Sequence, residues 1–133
     1  MSFSVFGIPI GKDKKREVLS GWKITTDLDI TEGFSMEILE KQMERLMNNE
    51  IEFVIVEPPA PVENCNFLQF CPDSDGKNGA VHLEASLRRK SEGSTLWGKD
   101  DLTGEQVLEI IRDFAYDEKA PNVTDWESIG VFE

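Results

Sequence analysis

Three short β-rich runs between Ile51 and Arg89 constrain this chain more than any other feature. They are Ile51-Glu52-Phe53-Val54-Ile55-Val56, Phe67-Leu68-Gln69-Phe70 and Val81-His82-Leu83-Glu84-Ala85-Ser86-Leu87. Pro58-Pro59-Ala60-Pro61 separates the first two, and a turn-forming cluster from Pro72 to Gly79 separates the last two, so the runs read as successive strands of one sheet. The first is apolar on both faces after Glu52, as expected of a central strand covered on both sides. The third alternates. Val81, Leu83, Ala85 and Leu87 share one face, and His82, Glu84, Ser86 and Arg88 share the other.

With 133 residues the chain has the size of one domain. Phe3 to Ile10 reads as an edge strand tolerant of Pro9, followed by a solvated basic turn from Gly11 to Glu17. A second strand is expected over Trp22 to Ile30, with Trp22, Ile24, Leu28 and Ile30 inward. Ser35 caps a helix that runs to Asn48-Asn49, with Met36, Leu39, Met43, Leu46 and Met47 on its apolar side. The loop from Asp73 to Gly79 lacks the ligand spacing of a calcium loop and reads as a hairpin turn. Ser91 to Gly98 reads as a polar connector with Trp97 folded back on the core, and the tail from Ala120 to Phe132 as a loop that docks or adds a last short strand. The expected fold is a single α+β domain, a mainly antiparallel sheet in the order β-β-α-β-β-β-α with two helices packed on it.

The second helix carries the clearest local signature. Thr103 and Gln106 form a capping box, and Leu102 with Val107 forms a hydrophobic staple. Val107, Ile110, Ile111 and Phe114 make its apolar face, flanked by Leu108 and Ala115. Opposite them lie Glu105, Glu109, Asp113 and Asp117, each four residues from the next. Like charges at that spacing destabilise a helix, and Arg112 alone offsets them locally.

The stripe belongs to a wider bias. The formal net charge is −12, and from Glu92 to Glu133 eleven acidic residues face three basic ones. Such a field disfavours direct binding to nucleic acid or anionic membrane and favours a basic protein partner, although acidity also serves solubility. No apolar run approaches the ~20 residues of a membrane-spanning helix. Cys65 and Cys71 flank the short strand Phe67 to Phe70, which holds them six positions apart, too far for a disulfide, so two free thiols and a cytoplasmic setting are expected.

Candidate chemistry is sparse. The single histidine, His82, shares a strand face with Glu84, which could form an acid–base or metal-binding pair, and Cys71 could approach His82 across the hairpin. His-x-Glu opens the zinc deaminase motif, but its downstream cysteine pair is missing. Phosphate-binding glycine loops and a nucleophile elbow are also missing, so no cofactor and no metal are implied.

The succession Phe67-Leu68-Gln69, Val81-His82-Leu83-Glu84, Leu102-Thr103 opening the Val107 to Phe114 helix, and Trp126 resembles small bacterial immunity proteins of polymorphic and contact-dependent toxin systems. That resemblance covers the second half of the chain. It implies a non-enzymatic cytoplasmic protein that neutralises a toxin domain, often a basic nuclease, through an acidic surface. Glu105, Glu109, Asp113 and Asp117 are the candidate partner-binding residues. Two alternatives stand beside this expectation: a small enzyme or ligand-binding domain using the polar sheet face around His82 and Glu84, and a regulator that mimics nucleic acid with its carboxylates.

Overall fold

A computed structural model of the protein describes residues 18–73 and 79–132. Seven strands form one sheet: β1 (Leu19–Thr26), β2 (Ile30–Phe34), β3 (Val54–Glu57), β4 (Cys65–Pro72), β5 (Val81–Arg88), β6 (Ser94–Leu102) and β7 (Glu127–Phe132). Their order is β2-β1-β3-β4-β5-β6-β7, and every neighbouring pair is antiparallel. Helix α1 (Met36–Met47) follows β2, and helix α2 (Gly104–Tyr116) follows β6. The architecture is α+β. The expected strand at Phe3 to Ile10 and the basic turn after it lie outside the described residues.

Both helices cover the same sheet face. Met36, Leu39, Met43 and Leu46 of α1 and Val107, Ile111, Phe114 and Ala115 of α2 are buried in one cluster with Ile24, Val54, Val56, Leu68, Phe70, Val81, Leu83 and Ala85 from the strands. This set follows from period: every second strand residue and every third or fourth helix residue meet in the middle. Trp22 anchors one end of the core, stacked on Phe34 at 5.8 Å and edge-on to Phe114 at 5.4 Å. The caps fall where local chemistry puts them. Ser35 Oγ accepts from the Ile38 amide, and Asn49 takes φ 61 beyond the Asn48 cap, a conformation asparagine tolerates.

Several expectations need correction. The strand read over Trp22 to Ile30 is a hairpin. The Thr26 hydroxyl accepts from the Leu28 and Asp29 amides at 3.1 Å each, the Thr26 amide donates to the Asp29 carbonyl, and the chain reverses there. Leu28 and Ile30, expected inward, are exposed. The parity of the second half was coincidental, because the turn resets it.

Strand β3 is covered on one face only: Val54 and Val56 are fully buried, whereas Ile55 is half-buried on the side away from the helices. Met47 is exposed at the end of α1.

The polar connector proposed over Ser91 to Gly98 is mostly strand β6, entered through a tight loop in which the Arg89 amide donates to the Gly93 carbonyl. Trp97 is a half-buried strand residue opposite Ala85, not a side chain folded back from a loop. The tail adds β7 at the sheet edge. Val123 and Trp126 pack on the core, while Ile129, Val131 and Phe132 stay exposed. The hairpin expected between β4 and β5 is present, closed by the Asp73 amide donating to the Ala80 carbonyl.

Candidate functional site

Two groups of residues singled out by the sequence occupy different faces of the molecule. The first is the outer side of α2. The Thr103 hydroxyl accepts from the Gln106 amide, and the Gln106 side chain accepts from the Thr103 amide, which completes the capping box and fixes the start of the helix. The helix then buries Val107, Ile111, Phe114 and Ala115 and turns Glu105, Glu109 and Asp113 to solvent, with Asp117 as its exposed C-cap.

All four acids of the stripe thus lie on one exposed side. Arg112 Nη2 lies 3.7 Å from Asp113 Oδ1, with both side chains about half exposed. The last turn contains no basic residue, so Asp113 and Asp117 sit at the negative end of the helix dipole, where anions are disfavoured.

The second group lies on the sheet face that the helices leave uncovered. Register sets it: Gln69 pairs with Glu84, Cys71 with His82, and Glu84 with Gly98. Gln69 Nε2 donates to Glu84 Oε1 at 2.5 Å, His82 Nε2 meets Glu84 Oε2 at 2.8 Å, and His82 Nδ1 meets Asp100 Oδ1 at 2.5 Å. Carboxylates only accept, so both ring nitrogens must donate, which describes an imidazolium. Burial pulls the His82 pKa down, but the hydrogen bonds and charges of Glu84 and Asp100 outweigh it and hold it above the ordinary value.

In that state neither ring nitrogen is a free base. Gly98 completes the packing, since a side chain there would run into His82 and Ile129.

Cys71 lies beside this chain of groups. Burial, and then the charges of Glu84, Asp73 and Asp100, push its thiol pKa up. Cys65 is buried, and its thiol is pushed up to about 12 mainly by desolvation. Both are free thiols. A Cys71–His82 nucleophilic pair would need a thiolate and a neutral imidazole, and the surrounding carboxylates oppose both. Next to Cys71 is a shallow depression of about 310 Å³ lined by Phe53, Ile55, Gln69, Phe70 and Cys71; His82 and Glu84 are not among its lining residues. Among the described residues no group of three or more His, Cys, Asp or Glu side chains is arranged to hold a metal ion.

No protein-family model, curated protein or solved structure matches the chain. Function must therefore be argued from these two surfaces.

Of the residues named from sequence, the structure brings the four stripe acids onto one exposed side and joins His82 to Glu84. It does not bring the two sets together. Sequence reasoning missed Asp100, because Ser91 to Gly98 read as a connector and no strand was expected to carry Asp100 beside His82. Its signal was the alternation of Leu96 and Gly98, which share the face of Ser86 and Glu84, obscured by Lys99-Asp100-Asp101. Among the described residues no helix is long and apolar enough to cross a membrane.

Proposed function

We propose that the protein is a non-catalytic, cytoplasmic binding protein of immunity type that uses the outer side of α2 to occlude a basic partner such as a toxin domain. The observation that carries this reading is the placement of Glu105, Glu109, Asp113 and Asp117. They form an exposed row on a helix whose last turn holds no basic residue, at the dipole end where acids are least favourable. A helix selected for its own stability would intersperse lysines there.

The net charge of −12 extends the same field over the whole molecule, which accelerates encounter with a cationic surface and rejects acidic competitors. The His82 network supports this reading from the other side. Glu84 and Asp100 share one imidazolium, which ties β5 to β6 and leaves neither ring nitrogen to act as a base.

The test is co-expression with the polypeptide encoded by the adjacent gene. Wild-type protein should bind it and protect cells from its activity. The Glu109→Lys/Asp113→Lys variant should fold but protect poorly, and a Glu37→Lys/Glu44→Lys control on α1 should protect fully. Equal protection by all three would remove α2 as the docking surface.

A further inference from the structure

A groove of about 620 Å³ opens beside the C-terminal end of α2. Its lining includes Trp22 and Tyr116, the Pro58 and Pro59 pair of the β3–β4 connection, and the carboxylate-bearing Glu63 and Glu118. The aromatic wall is preformed. Trp22 is 7% exposed and locked between Phe34 and Phe114, and Tyr116 leans on Phe34 at 6.0 Å between ring centres.

The acids at the rim are also placed. Glu63 Oε1 accepts from the Ala120 amide at 2.9 Å, which ties the β3–β4 connection to the segment after α2 and holds this carboxylate at the groove. Glu118, exposed and next in sequence to Asp117, the last acid of the stripe, places a second carboxylate at the groove.

From this combination we infer that the groove is an anchor site for an arginine side chain of the basic partner. The inference rests on the proposed function and adds the chemical group recognised. A guanidinium suits the site better than an ammonium: its flat face lies on the tyrosine and proline surfaces, with the buried Trp22 behind them, while its edge donates to two carboxylates. The volume falls within the range of ordinary ligand sites. A central anchor of this type is what the stripe lacks, since exposed charges steer association but contribute little to holding a complex together.

Charge complementarity selects the occupant. A second copy would bring another −12 to a rim that is already acidic. The chain's own basic cluster, Lys12, Lys14, Lys15 and Arg16, lies close to Leu19 in sequence and is the competing occupant that the glutamine variant below tests.

The experiment titrates the full-length protein with the peptide acetyl-Gly-Arg-Gly-Arg-Gly-amide and with its citrulline analogue, which keeps the shape and loses the charge, following the Trp22 and Tyr116 resonances by NMR. The arginine peptide should shift both, and the citrulline peptide should bind at least tenfold more weakly. Glu63→Gln keeps an acceptor for the Ala120 amide and removes the charge, so Glu63→Gln/Glu118→Gln should fold normally and lose at least tenfold in affinity. Equal binding of the two peptides, or shifts confined to the stripe, would overturn the site.

Two further results would assign the groove to another occupant and overturn the proposal equally. One is at least tenfold tighter peptide binding after replacing Lys12, Lys14, Lys15 and Arg16 with glutamine. The other is concentration-dependent self-association that the peptide reverses. The Glu109→Lys/Asp113→Lys variant separates the two ideas: if it still binds the arginine peptide in the groove while wild-type protein ignores the adjacent-gene polypeptide, the anchor stands and the immunity-type function falls.

Discussion

Replacing Glu109 and Asp113 with lysine should make the protein more stable and less able to bind. The stripe contains three like-charged pairs at i,i+4, Glu105–Glu109, Glu109–Asp113 and Asp113–Asp117, each unfavourable by about 0.2–0.5 kcal/mol. The double substitution turns the first and third into attractive pairs, a gain of about 0.4–1 kcal/mol each, and leaves the middle pair like-charged. Lysine at 113 also complements the dipole of the last turn, by about 0.3–1 kcal/mol. Against this stand loss of the exposed Arg112–Asp113 pair, about 0–1 kcal/mol, and conversion of the Glu109–Arg112 pair at i,i+3 into a like-charged one, about 0.4–1 kcal/mol.

The net expectation is a gain of about 1 kcal/mol. For 133 residues the unfolding entropy is about 0.28 kcal/mol/K, so Tm should rise by about 3–4 °C. Each substitution removes one negative charge and adds one positive charge, so two of them move the net charge by four, from −12 to −8. Association with a cationic partner should slow by about tenfold at low salt. Circular dichroism melts paired with stopped-flow association measure both. A fall in Tm would refute the like-charge bookkeeping, and a higher Tm with unchanged association would make the stripe a solubility device.

Phe114→Ala should cost about 3–5 kcal/mol, because Phe114 is fully buried and edge-on to Trp22, and chemical denaturation should show it. His82 should make stability pH-dependent. Its folded pKa lies above the unfolded value near 6.5, so its contribution is complete below about pH 6.5 and is lost as the pH rises through the folded pKa. Melts across that interval should show a decline that His82→Gln lacks; parallel curves would contradict the imidazolium assignment. Thiol titration should count two groups in denaturant, with Cys65 unreactive in the native protein because it is buried and its thiol is pushed up to about 12.

Legibility in the sequence followed the strength of local chemistry. Both helices could be read because Ser35 and Thr103 mark their starts and a 3.6-residue period places Leu39, Leu46, Val107, Ile111 and Phe114 in the core. The hairpin at Thr26 could not, because its turn is held by a threonine hydroxyl and lacks the Gly or Pro that announces most turns. Strand β6 was hidden for a different reason. Its core-facing pattern is interrupted by register irregularities on both sides, toward β5 and toward β7, which put consecutive residues out of simple alternation.

The same cause hid Asp100 and therefore half of the His82 clamp. The groove at the end of α2 was illegible for a third reason: it joins Trp22, the β3–β4 connection with Pro59 and Glu63, and Tyr116 from three separate places in the chain.

The most direct test of the acidic-surface account is the association rate of wild-type protein with the adjacent-gene polypeptide as a function of ionic strength. If charge on α2 and its surroundings guides docking, the rate should fall by about tenfold or more between about 0.01 and 0.5 M salt, as the screening length shrinks from about 30 Å to a few ångströms. A rate that stays flat across that range would contradict an electrostatically guided interface.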